Sequence, residues 1–180
     1  MREMFEQGWP ASGTICGWGS EIEHTENIRK QLPDLIKKYN IKSINDAGCG
    51  DLNWMSTIDL SGVDYLGYDL VSRDAWNETL KCEVLDITQQ PMRSADMIIC
   101  RDVFIHLPNH LVSKALDLFR LSAKYLLSTT FNGIDNDLRI EEPSMTHAKI
   151  SLDVSPFNLG KPLVCVNEDY ENKFSCLWSL

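Results

Sequence analysis

Two glycines and an aspartate lie in the turn that follows a short apolar run near residue 45. The stretch SINDAGCGDLNW, residues 43–54, places Asp46 shortly before Gly48 and Gly50. Glycines at this spacing let a backbone turn sharply and let a ligand approach it closely. In an open parallel sheet, ligands bind outside the carboxyl ends of the strands, so this turn is the first candidate site. The question is which ligand it accepts.

The residue types around the turn argue against a phosphate ligand. A dinucleotide fingerprint needs a third glycine at position 53, where the chain has Asn53, and the sequence has no Walker GxxxxGK segment. A carboxylate at Asp46 would repel a pyrophosphate on the N-terminus of the following helix. The turn therefore favours a ligand that carries positive charge, with nicotinamide chemistry as the remaining rival.

Two further acids end the next two apolar runs. Asp69 ends YLGYD, where a carboxylate can accept hydrogen bonds from both hydroxyls of a ribose. Asp86 ends EVLD, within reach of an adenine amino group, although an acid at a strand end also caps the next helix. S-adenosylmethionine carries a sulfonium and an ammonium group and no phosphate. Three acids at successive strand ends therefore predict a site for this cofactor.

Alternating strands and helices must position these acids. Strands are predicted at residues 43–46, 65–69, 83–86, 96–100 and 125–130, and helices at residues 21–39, 52–58 and 111–121. This alternation predicts a parallel sheet with crossover connections. Residues 163–166 and 174–178, on either side of the polar turn NEDYENK, predict an antiparallel hairpin at one edge. Pro33 is expected to break or kink its helix, and residues 1–20 are expected to form an irregular arm.

These runs resemble the class I S-adenosylmethionine-dependent methyltransferases. The resemblance rests on INDAGCGDLNW, YLGYDLV, VLDI and ADMIICRDVFIHL, and it covers residues 41–131. More narrowly, GWGS, TENIRKQLPDLIKKYNIKSINDAGCGDLNWM and PFNLGKPL resemble small methyltransferase-like proteins of bacteria and their phages. The resemblance implies a Rossmann-like, seven-stranded, mostly parallel sheet with an antiparallel C-terminal hairpin and helices on both faces.

The resemblance also implies a set of cofactor contacts. It assigns Asp46, Gly48, Cys49 and Gly50 to the methionine moiety, Asp69 and Leu70 to the ribose, Asp86 and Ile87 to the adenine, and Cys100 and Arg101 to the neighbourhood of the sulfonium. The chain departs from the family pattern at position 52, which is leucine where a third glycine is common. It departs again at residues 122–124, which read SAK in place of proline-glycine-glycine.

A candidate proton acceptor follows the fourth predicted strand, in CRDVFIHLP. Asp102 and His106 are four residues apart and could share one face of a helical turn. Asp102 could then orient His106, which would take a proton from an acceptor hydroxyl or amine. The alternative is that both residues are purely structural.

The N-terminal segment offers two further candidates. Trp18 could stack on the cofactor or the acceptor, and Arg29 could bind a carboxylate of the cofactor. Equally, Trp18 could only pack on the domain while Arg29 is a solvated helix charge. Residues 132–155 form a long polar loop of the kind that covers a site or holds an acceptor.

Composition narrows the class of partner. A chain of 180 residues fits one domain, residues 1–180, and its net charge of −9 disfavours duplex nucleic acid as a substrate. No apolar stretch approaches a membrane span, so no membrane partner and a cytoplasmic location are expected. The six cysteines form no CxxC pair, which predicts reduced thiols, no metal site and no disulfide framework.

The sequence thus predicts a methyltransferase that uses S-adenosylmethionine and acts on a small-molecule or saccharide-like acceptor. The motifs of DNA-base methylation, an Asn or Asp before Pro-Pro and an aromatic residue, and a Pro-Cys pair, do not occur. A cofactor-binding module without methyl transfer and an enzyme that degrades the cofactor stay as alternatives. Oxygen, nitrogen and carbon acceptors all remain open at this point, as does the oligomeric state.

Overall fold

The computed structural model describes residues 2–9, 12–74, 76 and 80–180. Within these residues the chain forms one sheet of seven strands and three α-helices. The strands are β1 (Ser43–Ala47), β2 (Asp64–Asp69), β3 (Cys82–Val84), β4 (Ala95–Cys100), β5 (Ala123–Phe131), β6 (Val164–Asn167) and β7 (Lys173–Ser179). The helices are α1 (Arg2–Glu6), α2 (Glu26–Lys38) and α3 (Asn109–Ser122). Short 3₁₀ turns cover Trp18–Ser20, Glu23–Thr25, Met55–Thr57, Phe104–His106 and Asn136–Leu138.

The sheet has the order β3-β2-β1-β4-β5-β7-β6. Strands β1 to β5 are parallel, and β7 runs antiparallel to both β5 and β6. The predicted Rossmann-like sheet with its antiparallel C-terminal hairpin is therefore confirmed. The direction of the strand order reverses between β1 and β4, which leaves a crevice at their carboxyl ends.

The two long helices cover opposite faces of the sheet, as predicted. Side chains alternate along a strand, so neighbouring residues of β4 point to opposite sides. Ile98 belongs to the core cluster that contains Leu116 of α3, and Ile99 belongs to the cluster that contains Leu32 of α2. Burial of each of these side chains contributes about 1.5–3 kcal/mol.

Three local predictions need correction. Helix α2 continues through Pro33, because this residue lies on the exposed face, where the carbonyl that loses its helical partner can bind water. The predicted helix at residues 52–58 is a set of turns with one 3₁₀ turn, since Leu52 has a left-handed φ of 62°. The arm at residues 1–20 is not wholly irregular, because it contains α1 and the 3₁₀ turn Trp18–Ser20.

A disulfide joins Cys165 and Cys176. The expectation of reduced thiols is wrong for this pair, because the two residues face each other directly in the register of β6 and β7. This register cannot be read from sequence spacing alone. Cys49 and Cys100 are free and buried, as expected.

The long segment between β5 and β6 is held by two polar side chains. Asn136 donates from Nδ2 to the carbonyls of Ser151 and Ser155, both at 2.7 Å. Arg139 donates to the carbonyl of Phe104 at 2.7 Å and to that of Lys149 at 3.0 Å. These bonds fix an irregular segment beside the carboxyl ends of the strands.

No described helix is long and apolar enough to span a bilayer.

Candidate active site

A cavity of about 360 Å³ lies at the carboxyl edge of the sheet, around the point where the strand order reverses. Its floor comes from the loops that follow β1, β2, β3 and β4. Of the predicted site residues, those that line it are Trp18, Gly48, Gly50, Asp69, Leu70, Asp86, Ile87, Arg101, Asp102 and His106. Ligand sites in open α/β sheets are expected at this place.

The N-terminal segment covers the cavity; residues 5–9 and 12–20 are called the roof below. Phe5, Trp9 and Trp18 of the roof line the cavity. The body of the protein holds the roof through main-chain carbonyls and through the side chains of Thr14 and Cys16, which bond to Asp51. Arg73 donates to the carbonyl of Phe5 at 2.8 Å, and Arg101 donates to that of Gly19 at 2.8 Å.

The glycines after β1 allow close packing at the cavity wall. Gly48 and Gly50 have φ values of 84° and 57°, in the left-handed region. A Cβ atom on Gly48 would lie 2.2 Å from Cγ2 of Val103, and one on Gly50 would lie 2.3 Å from Sγ of Cys16. Gly48 therefore fits the loop after β4, and Gly50 fits the roof.

We expect Gly50→Ala to destabilise the protein more than Gly62→Ala, as measured by urea unfolding. Both glycines have left-handed φ values, but a Cβ on Gly62 would meet no atom within 4 Å. Gly62→Ala should therefore show only the backbone penalty of about 1–2 kcal/mol. Gly50→Ala should add the clash with Cys16. Equal losses in the two variants would show that the roof does not pack against Gly50.

Asp69 lies at the carboxyl end of β2 and is prepared to accept hydroxyl donors. Its Oδ2 accepts the N–H of Gly50 and its Oδ1 accepts the N–H of Val71, both at 3.0 Å. Burial raises the pKa of this carboxyl. Each carboxylate oxygen has a second lone pair, so both oxygens can also accept a hydrogen bond from a ligand.

Asp86 caps a turn and also lines the cavity. Its Oδ1 accepts the N–H and the hydroxyl of Thr88, at 2.9 and 2.7 Å. Both readings left open by the sequence are thus compatible with its position. The neighbouring side chains of Leu70, Leu85 and Ile87 give this end of the cavity an apolar lining.

Asp46 lies in a separate recess of about 30 Å³ that shares Gly48 and Arg101 with the larger cavity. Its Oδ2 accepts the hydroxyl of Tyr65 at 2.7 Å. Burial raises the pKa of Asp46 to about 7. Cys49 lines the same recess and not the larger cavity.

Two predicted cofactor contacts lie away from both cavities. Cys100 is fully buried in the core and lines neither. Arg29 donates to the hydroxyl of Thr25 at 3.2 Å and to the carbonyl of Ile22 at 3.0 Å. It therefore ties the start of α2 to the preceding turn, and the expectation that it binds a carboxylate of the cofactor is not met by its position.

The predicted pairing of Asp102 with His106 is wrong. Asp102 has a left-handed φ of 57°, and the residues after it form a 3₁₀ turn, so the two side chains do not share a helical face. Asp102 accepts hydrogen bonds from Lys173 at 2.7 Å and Thr129 at 2.9 Å. His106 instead has a hydrogen bond of 3.0 Å between Nδ1 and the carbonyl of Ser144.

His106 is a neutral imidazole held in one tautomer. A carbonyl can only accept, so Nδ1 carries the proton in this bond and Nε2 is the acceptor nitrogen of the ring. Burial lowers the pKa of His106. Its ring centroid lies 5.4 Å from that of Trp9 and 5.9 Å from that of Phe5, so the roof covers it.

Four buried charged side chains lie together where β4 ends and β7 begins, and the sequence analysis missed them. They are called the charge cluster below and are Arg101, Asp102, Glu168 and Lys173. Arg101 donates to Glu168 at 3.0 Å from Nε and 2.5 Å from Nη2, and Lys173 lies 3.0 Å from Glu168. Burial alone would raise the pKa of Asp102 and Glu168, but the two cations hold both below their usual values. Both carboxylates are therefore ionised at neutral pH.

This cluster joins parts of the chain that are far apart in the sequence, so it is seen only in the structure. Glu168 and Lys173 both belong to the predicted polar turn NEDYENK, so solvent exposure was the natural expectation for both. Tyr170 of the same turn also lines the cavity. Among the described residues, no three His, Cys, Asp or Glu side chains converge to form a metal-binding group.

This chain is similar in structure to known proteins. No protein-family model matches the chain, and no curated protein matches it significantly. The N-methyltransferase NodS from Bradyrhizobium japonicum WM9, in complex with S-adenosylhomocysteine, superposes with a TM-score of 0.69 and 13% identity over 99% of this chain and 97% of that chain. The chain has the class I S-adenosylmethionine-dependent methyltransferase fold.

Other methyltransferases of this fold give similar scores. Magnesium protoporphyrin IX methyltransferase ChlM from Synechocystis PCC 6803, with bound S-adenosylhomocysteine, has a TM-score of 0.63 and 15% identity over 88% of this chain and 84% of that chain. The methyltransferase domain of bacterial CtHen1 has a TM-score of 0.62 and 13% identity over 87% of this chain and 99% of that chain. These matches confirm the methyltransferase fold that the sequence resemblance implied.

Proposed function

We propose that the chain is an S-adenosylmethionine-dependent methyltransferase with a small-molecule or saccharide-like acceptor. The observation that carries this proposal is the cavity at the reversal of strand order, with Asp69 and Asp86 at two successive strand ends. The fold supports it, because NodS and ChlM share this fold and their structures hold S-adenosylhomocysteine. When bound, the cofactor supplies a methyl group that its sulfonium already activates.

The residues of the two cavities fit this cofactor in charge and polarity. Asp69 would accept the ribose hydroxyls, and Leu70, Ile87 and Asp86 would surround the adenine. The recess at Asp46 would take the amino acid end, where an ammonium group would favour the ionised carboxylate. A carboxylate at Asp46, beside the glycine turn, would repel a pyrophosphate there, so this position disfavours a dinucleotide.

The size of the cavity supports a small acceptor. A volume of about 360 Å³ is near the lower end of the range for ligand sites, and the roof closes it above. An acceptor beside the cofactor would meet Trp18 and Tyr170, which line the cavity with ring centroids 5.2 Å apart. Aromatic faces of this kind suit a flat molecule or the apolar face of a sugar.

Calorimetric titration with S-adenosylmethionine, S-adenosylhomocysteine and NAD tests this proposal. We expect the first two to bind and NAD not to bind. Formation of S-adenosylhomocysteine is then measured against a panel of small hydroxyl, carboxyl, amine and sugar compounds. Binding without product on any acceptor would favour the binding-module alternative, and product without an acceptor would favour an enzyme that degrades the cofactor. Failure of both cofactor forms to bind would reject the proposal.

His106 is proposed as the general base for an acceptor that must lose a proton. We expect His106→Asn to lower kcat by about 100-fold or more while leaving the affinity for S-adenosylhomocysteine unchanged. Asparagine keeps a donor for the carbonyl of Ser144 but removes the Nε2 acceptor. The matched control is His110→Asn, because His110 is exposed on α3.

The pH profile gives an independent check on His106. Its pKa lies below the ordinary 6.5, so the neutral base is present at pH 7 and is lost only as the pH falls below 6.5. We expect kcat of the wild type to hold constant from pH 8 to 6.5 and to fall below that value. The acid limb should disappear in His106→Asn. An unchanged kcat in this variant would remove the catalytic role.

A further inference from the structure

We propose that the acceptor atom is an oxygen, held by the ammonium group of Lys173. This inference rests on the proposed methyl transfer and deepens it, because it chooses among the oxygen, nitrogen and carbon acceptors that the sequence leaves open. The acceptor subsite is the part of the cavity lined by Trp18, Asp102, Tyr170 and Lys173.

Lys173 is fixed at the cavity wall by two carboxylates. It is the first residue of β7, opposite Phe131 in the register with β5, and its side chain is only 8% exposed. Its Nζ lies 2.7 Å from Oδ2 of Asp102 and 3.0 Å from Oε2 of Glu168. Two carboxylates at these distances leave the ammonium group little room to move, so it is held in one place.

One N–H of this ammonium group is left for a ligand. A lysine ammonium has three donors; Asp102 accepts one of them, and the ion pair with Glu168 at 3.0 Å engages at most one more. The described residues show no third acceptor for Nζ, and the side chain lines the cavity. A buried donor without a partner is costly, so an acceptor atom from a ligand would satisfy it.

The charge cluster around Lys173 is balanced without a ligand. Arg101 and Lys173 contribute two positive charges, and Asp102 and Glu168 contribute two negative ones. No net charge is therefore left to demand a fully ionic partner. The remaining N–H selects for a lone pair, which a neutral hydroxyl and a carboxylate both provide.

The number of lone pairs separates oxygen from nitrogen acceptors. A hydroxyl or carboxylate oxygen can accept from Lys173 with one lone pair and attack the methyl carbon with another. A neutral amine has one lone pair, which a bond from Lys173 would occupy, and a protonated amine has no lone pair to accept this bond. A carbon acceptor has no lone pair to offer this donor.

The transfer balances with an oxygen acceptor. The new bond forms between the acceptor oxygen and the methyl carbon, and the carbon–sulfur bond breaks with its electron pair kept by sulfur. A hydroxyl acceptor loses its proton, for which Nε2 of His106 in the same cavity is the proposed base. A carboxylate acceptor has no proton to lose.

Binding of three matched probes to protein saturated with S-adenosylhomocysteine tests this inference. Benzoate, benzyl alcohol and benzylamine carry a carboxylate, a hydroxyl and an amine on the same ring, and calorimetry or NMR titration compares them. We expect benzoate and benzyl alcohol to bind at least about tenfold more tightly than benzylamine. The tighter of the two oxygen probes distinguishes a carboxylate acceptor from a hydroxyl acceptor.

Variants assign the discrimination to Lys173. Lys173→Met combined with Asp102→Asn removes one charge of each sign, so the charge cluster stays neutral, and we expect the preference for the oxygen probes to disappear. Asp102→Asn alone keeps the ammonium group and should keep the preference. Lys30→Met is the control for a lysine elsewhere, since Lys30 pairs with Glu26 on the exposed side of α2.

The outcomes separate this inference from the proposed function. If S-adenosylhomocysteine does not bind the wild type, the proposed function itself fails. If it binds but the amine probe binds as well as the oxygen probes, or none of the probes binds at millimolar concentration, the oxygen assignment is wrong. Retention of the preference in the double variant would also overturn the role of Lys173. Where that variant does not fold, the ranking of the probes on the wild type decides.

Discussion

Glu168→Ala is expected to lower the free energy of unfolding by about 3–5 kcal/mol. The side chain of Glu168 is 2% exposed and accepts hydrogen bonds from Arg101 and Ser175, beside the ammonium of Lys173. Its removal would leave two buried cations against the single charge of Asp102. The loss of one partner from a buried pair is costly, because the other charge stays out of water.

Urea unfolding of matched variants measures this effect. Glu171→Ala is the control, since Glu171 lies two residues before β7 and forms an exposed ion pair with Lys149, and this variant should unfold almost like the wild type. Glu168→Gln keeps the shape and one acceptor and should lie between the two. A loss of less than about 1 kcal/mol in Glu168→Ala would show that the charge cluster is not a buried unit.

The same cluster predicts a dependence of stability on pH. The folded-state pKa values of Asp102 and Glu168 are lowered, so their stabilising effect is complete above 4.5, the ordinary pKa of a glutamate, and is lost as the pH falls. The wild type should therefore lose stability below pH 4.5 more steeply than Glu168→Ala. Equal slopes for the two proteins would contradict the assignment.

Asp69→Ala should weaken the binding of S-adenosylhomocysteine by at least about 100-fold. The variant would lack the carboxylate that is proposed to accept two hydrogen bonds from ribose hydroxyls. It would also leave the N–H groups of Gly50 and Val71 at the cavity wall without their acceptor. Both effects act on the same end of the cofactor. Calorimetric titration of the variant beside the wild type measures the change directly.

Two controls separate the lost contact from general damage. Asp59→Ala removes an exposed aspartate that accepts the N–H of Ser61, and it should leave the affinity unchanged. Asp69→Asn keeps one carbonyl acceptor and should lose less affinity than Asp69→Ala. Full affinity in Asp69→Ala, with the fold intact by circular dichroism, would move the ribose away from β2.

The sheet could be predicted from the sequence because its strands carry strong local signals. Runs such as DMIIC are apolar on both faces, as strands covered on both sides must be, and the predicted strand ends lie within two residues of those in the structure. Asp69 and Asp86 follow from the same signals, because the carboxyl ends of parallel strands meet at one edge. Both line the cavity, as the sequence analysis expected.

The remaining features depend on contacts between distant parts of the chain. The left-handed turn at Asp102 sends its side chain to Lys173, 71 residues away, and not to His106. The bond from His106 to Ser144 crosses 38 residues. Such partners leave no periodic signal. Arg29 is the opposite case, because the sequence analysis assigned it to a distant ligand and its observed partner is local. It donates to the hydroxyl of Thr25, four residues away.

The way in which the roof is attached bears on how this scaffold can change. Arg73, Asn53 and Arg101 bind the roof through the carbonyls of Phe5, Ser20 and Gly19, which every amino acid possesses. These three bonds therefore do not depend on which side chains the roof turns toward the cavity. The glycines of the roof are more constrained, because a Cβ would lie 2.2 Å from Ile15 on Gly8, 3.1 Å from Trp9 on Gly17 and 2.9 Å from Asp102 on Gly19. Substitution at Phe5, Trp9 or Trp18 can thus change the lining of the cavity without altering the main-chain bonds that hold the roof.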